Sequence, residues 1–367
     1  MSIPRLLLGP GPSNPHPRVL AALSQPLLGH LDPAFLTLLD EAQARLRSLF
    51  GTQNPLTLPL SATGSGGMEA CLANLLERGD RAVIGVAGAF GERMCEVARR
   101  IGARVERVET EPGTALPAEA MADAIARVRP RVVAFVHAET STGVLQPVEE
   151  IAAASRRAEA FLVLDCVTSL GGVSVTLDAW GVDAAYSGTQ KCLSCPPGLS
   201  PVSFSERAAL RVRARRTPVQ SWYLDVTLLA AYYGSERVYH HTAPISMVYG
   251  LAEALRVIEE EGMPAREARH RAAAAALIER LAPFGFTPLV APEVRLPTLT
   301  TLRLPEAVLA RGEAKLRREL LDAHGIEVGG GLGKLSGSVW RVGLMGENAR
   351  VENVERLVEA LATLLRG

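Results

Sequence analysis

The chain has 367 residues, of which 48% are hydrophobic and 21% charged, and its formal net charge is zero. This length and composition predict a globular protein of roughly two or three domains. The balanced charge offers no basic field for a phosphate backbone, and no apolar run approaches the ~20 residues of a membrane span, so neither nucleic acid nor a membrane is an expected partner. Residues Met1–Arg5 lack a signal-peptide pattern and the five cysteines fit reduced thiols, so we expect a cytoplasmic protein.

Apolar periodicity predicts an α/β fold in the first two thirds of the chain. Asp32 followed by Pro33 predicts the start of a helix over Pro33–Phe50. From residue 56 to residue 190, strand-like runs alternate with helical patterns, which is typical of a mostly parallel sheet covered by helices. The predicted strands are Leu56–Leu60, Ala82–Val86, Val105–Val108, Val132–Val136, Phe161–Leu164 and Ala184–Tyr186, and the predicted helices between them are Gly67–Leu76, Glu92–Ile101, Pro117–Val128 and Val148–Ala158.

A smaller α+β domain is predicted after a junction at Gly262–Pro264. The amphipathic stretch Ser246–Glu261 ends there, and Gly and Pro commonly follow the end of a helix. We therefore expect a large domain over residues 15–261 and a small domain over residues 262–367. The elements predicted in the small domain are helix Ala265–Leu281, strands around Thr298–Leu304 and Val339–Leu344, and helices Arg311–His324 and Val351–Leu365.

Polar residues follow several predicted strands, at the edge where parallel sheets bind ligands. Gly, Ser, Thr and Asp are also ordinary turn and helix-cap residues, so no single segment specifies a site. Taken together, the strand ends would converge on one crevice. The segments are Thr63–Gly67, Gly88–Gly91, His137–Gly143, Asp165 and Lys191.

Lys191 is the first candidate for covalent chemistry. Only three of the 39 basic residues are lysines, the others being Lys315 and Lys334. A guanidinium stays protonated and cannot form an imine, whereas a desolvated lysine amine can become a neutral nucleophile. The alternative is that a lysine has simply persisted in an arginine-rich chain.

Two further features give Lys191 a possible cofactor. Ser61–Glu69 places backbone N–H groups and hydroxyls at a helix N-terminus, which favours an anion such as phosphate, and it matches neither the dinucleotide fingerprint nor Walker A. Asp165 ends an earlier strand, and a lysine for the aldehyde with a carboxylate for the ring nitrogen is what a pyridoxal phosphate site requires. Phe90 could stack on the ring. Each feature has a structural alternative: a Gly-rich turn, a helix-capping Asp and a core Phe.

Seven ordered motifs make the chain resemble the class V, fold type I aminotransferases over essentially its full length. Within that class it is similar to the alanine–glyoxylate or serine–pyruvate aminotransferase family. The motifs are Leu8–Asn14, Thr63–Ser65, Glu139–Val144, Leu164–Gly172, Tyr186–Lys191, Tyr239–Thr242 and Arg341–Leu344.

The resemblance implies a large domain with a mostly parallel seven-stranded sheet that binds pyridoxal phosphate, a smaller C-terminal α+β domain and an N-terminal arm over residues 1–14. It implies that Lys191 carries the cofactor, that Asp165 binds the pyridine nitrogen and that Arg341 binds the substrate carboxylate. The other implied cofactor-binding residues are Thr63, Gly64, Ser65 and Gln190 at the phosphate, Phe90 on the ring, Thr140 near the ring hydroxyl, Val167, and Tyr239 and Thr242 reaching across from the second subunit of a homodimer. Thr140 and Gly9 are also implied in substrate binding.

The implied reaction is ping-pong transamination of a small amino acid, alanine or serine, with glyoxylate or pyruvate as acceptor. Ureidoglycine–glyoxylate aminotransferase is a near alternative, and a catalytically silent pyridoxal phosphate-binding scaffold is an alternative from another class. A cysteine desulfurase would be expected to carry His where Gln190 stands, and the G-x-S-x-G elbow of hydrolases is absent.

Two departures from the family pattern and two further features complete the sequence analysis. Phe90 stands where relatives often have Trp and Ser65 where some have His, which implies weaker stacking but no lost chemistry. Cys192 and Cys195 form a C-x-x-C pair without a second pair, so two buried reduced thiols are the favoured interpretation. No metal is expected, because no metal-binding motif occurs.

Overall fold

The computed structural model describes residues 5–366. No helix within that range is both long and apolar enough to cross a membrane. The strands are β1 (Leu6–Leu8), β2 (Leu56–Leu60), β3 (Arg81–Val86), β4 (Arg104–Glu109), β5 (Val132–Val136), β6 (Ala138–Glu139), β7 (Val144–Leu145), β8 (Phe161–Asp165), β9 (Ala184–Tyr186), β10 (Ser200–Phe204), β11 (Thr287–Pro288), β12 (Leu299–Arg303), β13 (Ile326–Gly330) and β14 (Val339–Gly343). The helices are α1 (Pro17–Leu23), α2 (Pro33–Phe50), α3 (Gly64–Leu75), α4 (Ala89–Ile101), α5 (Ala118–Val128), α6 (Glu149–Arg157), α7 (Leu177–Trp180), α8 (Glu206–Arg213), α9 (Val226–Tyr233), α10 (Ile245–Glu261), α11 (Met263–Leu281), α12 (Glu306–Arg311), α13 (Glu313–His324) and α14 (Val351–Arg366).

The central sheet has seven strands in the order β2-β10-β9-β8-β5-β3-β4. Strand β10 runs in the opposite direction to the other six strands, which are all parallel to one another. This confirms the prediction of a mostly parallel seven-stranded sheet. The six strands predicted from apolar runs all form. The apolar pattern missed β10, because Ser200, Pro201 and Ser203 interrupt it although all five residues of the strand are buried.

Local signals explain most helix boundaries. Asp32 caps α2, with its Oδ1 accepting a hydrogen bond from the Ala34 N–H at 2.8 Å. Helix α3 begins at Gly64 and not at the predicted Gly67, since the glycine-rich turn itself forms the first helical turn. The predicted helix Arg311–His324 forms as α13 from Glu313 onward, because Gly312, with a φ of 84°, separates it from α12.

A second sheet has the order β1-β13-β14-β12-β11 and its own hydrophobic core. Trp340 and Phe286 lie in this core, with ring centroids 5.6 Å apart. Strand β1, from the segment predicted as the N-terminal arm, pairs in parallel with β13 at the edge of this sheet. The loop after β1 therefore starts from the second sheet and runs toward the carboxyl edge of the first, where it contacts Lys191.

Candidate active site

The loop after β9 carries Lys191 into a buried position against the loop that follows β1. Its side chain is 8% exposed, and its Nζ donates a hydrogen bond to the Pro10 carbonyl. Burial lowers the pKa of the lysine amine to about 8, because desolvation disfavours the charged form. Gly11 makes this contact possible: its φ is +107°, and a Cβ there would lie 2.7 Å from Lys191 Cδ. This close approach was not predicted, although the glycines of the Leu8–Asn14 motif are a signal for it.

Asp165 is the last residue of β8 and is held by two donors. Its Oδ2 accepts a hydrogen bond from the Tyr186 hydroxyl at 2.7 Å, and its Oδ1 accepts one from the Val167 N–H at 2.8 Å. Burial raises the pKa of the carboxyl to about 7, although both hydrogen bonds favour the ionised form. Asp165 and Val167 were predicted at the site from the sequence, whereas Tyr186 was given no role.

The N-terminus of α3 forms a cup of free backbone donors. Thr63 is the N-cap residue and makes no side-chain cap, and within residues 5–366 the N–H groups of Gly64 and Ser65 have no hydrogen-bond partner. A Cβ on Gly64 would lie 3.1 Å from Val167 Cγ2, so this wall of the cup is tightly packed. The buried Oε1 of Gln190 is also without a partner in the described chain. These unmatched polar groups fit an anionic ligand, since the helix dipole favours negative charge here.

Phe90 lies half-buried in the first turn of α4, close to this cup. The Arg93 guanidinium lies over the Phe90 ring, 5.0 Å from its centroid, and its Nη1 donates to Ser65 Oγ at 3.3 Å. A hydrogen bond holds the start of α4 in place: the Ala89 N–H donates to Ser141 Oγ at 2.9 Å. Buried Glu139 in turn accepts from the Ser141 hydroxyl at 2.6 Å. Sequence reasoning missed Arg93, whose i+3 position from Phe90 on a helix was the available signal.

Arg341 reaches the site from the second sheet. It is 6% exposed; its Nε donates to the Gly330 carbonyl at 2.7 Å and its Nη1 to the Thr140 carbonyl at 3.2 Å. Within residues 5–366 the hydrogen-bond partners of its guanidinium are these two carbonyls and no carboxylate, so its charge has no ion-pair partner, although the Glu139 carboxyl acts on it from farther away. Burial accordingly lowers the pKa of the guanidinium from its usual value. Thr140 also pairs its hydroxyl with that of Thr168, at 2.5 Å.

Gly9 lies beside the same strand that carries Arg341. A Cβ built on Gly343, in β14, would overlap the Gly9 carbonyl oxygen, so the two backbones are in close contact. The predicted substrate-binding residues Gly9, Thr140 and Arg341 therefore occupy one region.

Tyr239 and Thr242 lie on either side of His241 in the sequence, and His241 Nε2 is 2.7 Å from the Oγ of Ser61, two residues before Thr63. Tyr239 is 59% exposed, and its hydroxyl lies 3.5 Å from Thr242 Oγ1. In the part of the chain that is described, neither side chain hydrogen-bonds to Thr63, Ser65 or Gln190. Their predicted role depends on a second subunit.

The other candidate chemistries find little support at this edge of the sheet. Cys192 and Cys195 are both buried free thiols, as predicted, and burial raises their pKa values to about 11 and about 12. Over residues 5–366, no group of three or more His, Cys, Asp or Glu side chains is arranged to hold a metal ion.

Comparisons with known proteins give a consistent result. The Aminotransferase class-V family model matches residues 10–357. The alanine–glyoxylate aminotransferase of Mus musculus is 42% identical, with the alignment covering 100% of this chain and 89% of that protein. The (S)-ureidoglycine–glyoxylate transaminase of Bacillus subtilis is 37% identical over 99% of this chain and 91% of its own length. The crystal structure of alanine–glyoxylate aminotransferase from Nostoc sp. superposes with a TM-score of 0.97 at 52% identity, covering 100% of this chain and 97% of the other. With its fold type I architecture and this match across nearly its whole length, the chain belongs to the class V aminotransferase family.

Proposed function

We propose that this chain transfers an amino group from a small amino acid, alanine or serine, to glyoxylate or pyruvate, using pyridoxal phosphate. The observation that carries the proposal is the meeting of buried Lys191, buried Asp165 and the unmatched charge of Arg341 at one sheet edge. The similarity to alanine–glyoxylate aminotransferases of Mus musculus and Nostoc sp. supports the choice of donor and acceptor.

The class V aminotransferase family uses pyridoxal phosphate, and the residues at this site fit it. Lys191 would hold its aldehyde, Asp165 its ring nitrogen, and the free donors of Gly64 and Ser65 its phosphate. Thr63, Gln190, Phe90, Thr140 and Val167 complete the set of proposed contacts. When bound, the cofactor supplies a conjugated ring that accepts the electrons left when the substrate Cα–H bond breaks.

Lys191 and Arg341 have different roles toward the substrate: Lys191 transfers a proton and Arg341 binds the carboxylate. The lowered pKa of Lys191 leaves part of its amine neutral near neutral pH, so its Nζ can take the proton from the substrate Cα and return it. Within residues 5–366, no acceptor engages the Nη2 donors or the second Nη1 donor of Arg341, which suits a bidentate grip on the α-carboxylate. That grip orients the Cα–H bond, and a single clamp of this kind suits amino acids with one carboxylate.

We also propose that the active enzyme is a homodimer in which Tyr239 and Thr242 reach the partner's phosphate cup. The support is a set of exposed apolar side chains: Trp222 is 60% exposed, Val238 53% and Tyr239 59%. Tyr239 also lies against His30, with ring centroids 5.3 Å apart, which extends this surface toward the exposed Leu31. Trp222 stacks on His240, the residue after Tyr239, with ring centroids 4.2 Å apart, so these exposed side chains lie close together. An exposed apolar patch of this kind commonly marks an interface.

The proposal is tested with purified protein, alanine and glyoxylate, following pyruvate formation after loading with pyridoxal phosphate. Borohydride reduction followed by peptide mapping should place the vitamin on the peptide containing Lys191. Turnover by a Lys191→Ala variant, or absence of the label from that peptide, would contradict the assignment.

A second donor is worth testing because the Bacillus subtilis transaminase named for ureidoglycine is 37% identical over 99% of this chain. Alanine, serine and ureidoglycine should be compared at equal glyoxylate by their kcat/KM. A preference for ureidoglycine over alanine would replace the proposed donor while leaving the roles of Lys191 and Arg341 in place.

A further inference from the structure

Asp165 and Tyr186 are brought together by the register of two neighbouring strands. In the parallel pair β8–β9, Asp165 lies opposite Tyr186, so both side chains project from the same face of the sheet. Asp165 is 2% exposed and Tyr186 is fully buried, and the Tyr186 hydroxyl donates to Asp165 Oδ2 at 2.7 Å. Within residues 5–366 this is the only hydrogen bond that the hydroxyl makes.

The Tyr186 hydrogen bond is the main local interaction that stabilises the ionised form of the Asp165 carboxyl. Burial disfavours the charge most strongly, and the Tyr186 hydrogen bond is the largest influence that favours it, ahead of the Val167 N–H. The nearby carboxyl of Glu139 disfavours a second negative charge, and the effect of Lys191 is the smallest of those acting. The adjacent thiols of Cys71 and Cys166 are neutral, because burial raises both of their pKa values.

We propose that Tyr186 is a positioning residue that stabilises the ionised form of Asp165 and fixes its orientation, so that Asp165 can pair with the protonated ring nitrogen of the cofactor. The inference rests on the proposed function, because Asp165 must be the residue that meets the ring. The hydroxyl acts through Asp165 and does not touch the substrate.

The test compares Tyr186→Phe with Tyr233→Phe, a matched control. Tyr233 is also buried, and its hydroxyl donates to a backbone carbonyl, that of Pro59, at 2.9 Å. Each variant loses one buried tyrosine hydroxyl, but only the first loses a bond to a carboxylate. If the two variants lose the same thermal stability, any further difference between them is due to the lost bond to Asp165.

The first measurement uses cofactor-free protein with 13C-labelled aspartate and follows the carboxyl infrared band as the pH is changed. The spectrum of Asp165→Asn is subtracted, so that the remaining signal gives the titration midpoint of Asp165. Removing a donor from a carboxylate destabilises its ionised form, so the midpoint should rise by about one to two pH units in Tyr186→Phe. Tyr233→Phe should keep the wild-type midpoint. An unchanged midpoint in Tyr186→Phe would overturn the inference.

The second measurement compares the dissociation constants of pyridoxal phosphate and of an analogue with CH in place of the ring nitrogen. Wild-type protein should bind pyridoxal phosphate more tightly, and Tyr186→Phe should reduce that preference by about ten- to a hundredfold. Equal weakening of both ligands means that Tyr186 only packs, which refutes the inference. Failure of wild-type protein to bind pyridoxal phosphate refutes the proposed function instead.

If Tyr186→Phe does not fold, wild-type protein grown with 3-fluorotyrosine replaces it. Fluorination makes the phenol a stronger donor, so the Asp165 midpoint should fall. The same labelling in Tyr233→Phe separates the contribution of Tyr233, and a midpoint that does not move in either protein overturns the inference.

Discussion

Replacing Arg341 with lysine tests the proposed carboxylate clamp most directly. Arg341 is 6% exposed, its Nε is committed to the Gly330 carbonyl, and one Nη1 donor is committed to the Thr140 carbonyl. A lysine cannot present two parallel N–H groups to a carboxylate and at the same time keep the contact with Gly330. We therefore expect Arg341→Lys to fold with its positive charge in place and to lose one of two charge-assisted hydrogen bonds to the substrate.

The size of the effect follows from that single bond. A hydrogen bond to a charged group contributes about 1.5–3 kcal/mol, which corresponds to a loss of roughly ten- to 150-fold in kcat/KM. The loss should be similar for alanine and for glyoxylate, because both present a carboxylate to the same side chain. It should be small for ethylamine, which has the amine of alanine but no carboxylate.

The assay is single-turnover stopped-flow absorbance of the loaded enzyme with alanine and with ethylamine. The selectivity for alanine over ethylamine should fall in Arg341→Lys and remain at the wild-type level in Arg215→Lys. Arg215 is a suitable control because it also binds backbone carbonyls, those of Ala73, Asn74 and Leu76. Equal losses with both amines would show that Arg341 supports the fold and does not hold the carboxylate.

Three further predictions concern Lys191, its covering loop and the second subunit. Because burial lowers the Lys191 pKa to about 8, covalent incorporation of pyridoxal phosphate into cofactor-free protein should accelerate as pH rises toward 8 and level off above it; a midpoint near the ordinary value of 10.5 would contradict this. Gly11 has a φ of +107° and lies against Lys191, so Gly11→Ala should weaken cofactor binding in a fluorescence titration. Gly79→Ala is the control: Gly79 has a φ of +88° and open space around it, so this variant should lose only the backbone strain energy of about 1–2 kcal/mol in stability. Mixing Lys191→Ala with Tyr239→Ala subunits should restore about a quarter of wild-type activity, since random pairing gives one intact site in each mixed dimer; no restoration would place Tyr239 within its own subunit's site.

The sequence predicted much of the sheet because burial on both faces produces uninterrupted apolar runs. It also placed Asp165 at the end of β8 and Lys191 after β9, and the topology brings these two neighbouring strands to one edge of the sheet. Strand β10 escaped prediction because its burial depends on pairing with β2 and β9 and not on its own composition. Arg341 lies in the second sheet, so no strand-end rule of the first sheet could bring it to the site, and only the family resemblance did so.

Contacts made by residues without a recognisable chemical motif were the hardest to predict from the sequence. Tyr186 reads as the end of a buried strand, and its bond to Asp165 depends on a register that one strand alone does not specify. Pro10 and Gly11 read as a turn, yet they cover Lys191 because β1 joins the second sheet. The roles of Tyr239 and Thr242 depend on a second copy of the chain and stay predictions.

Desolvation connects the chemistry of the four charged groups that meet here. It is the leading cause of the lowered pKa values of Lys191 and Arg341 and of the raised pKa values of Asp165 and Glu139. Each group is thus held in a site that penalises its charge. Asp165 and Glu139 accept hydrogen bonds and Lys191 and Arg341 donate to backbone carbonyls, but neither cation forms an ion pair with a carboxylate among residues 5–366. A ligand that brings a ring nitrogen to Asp165 and a carboxylate to Arg341 supplies the missing counter-charges. The cost of burying these charges without partners is therefore relieved when the proposed cofactor and substrate bind, which ties affinity to the protonation state that the reaction requires.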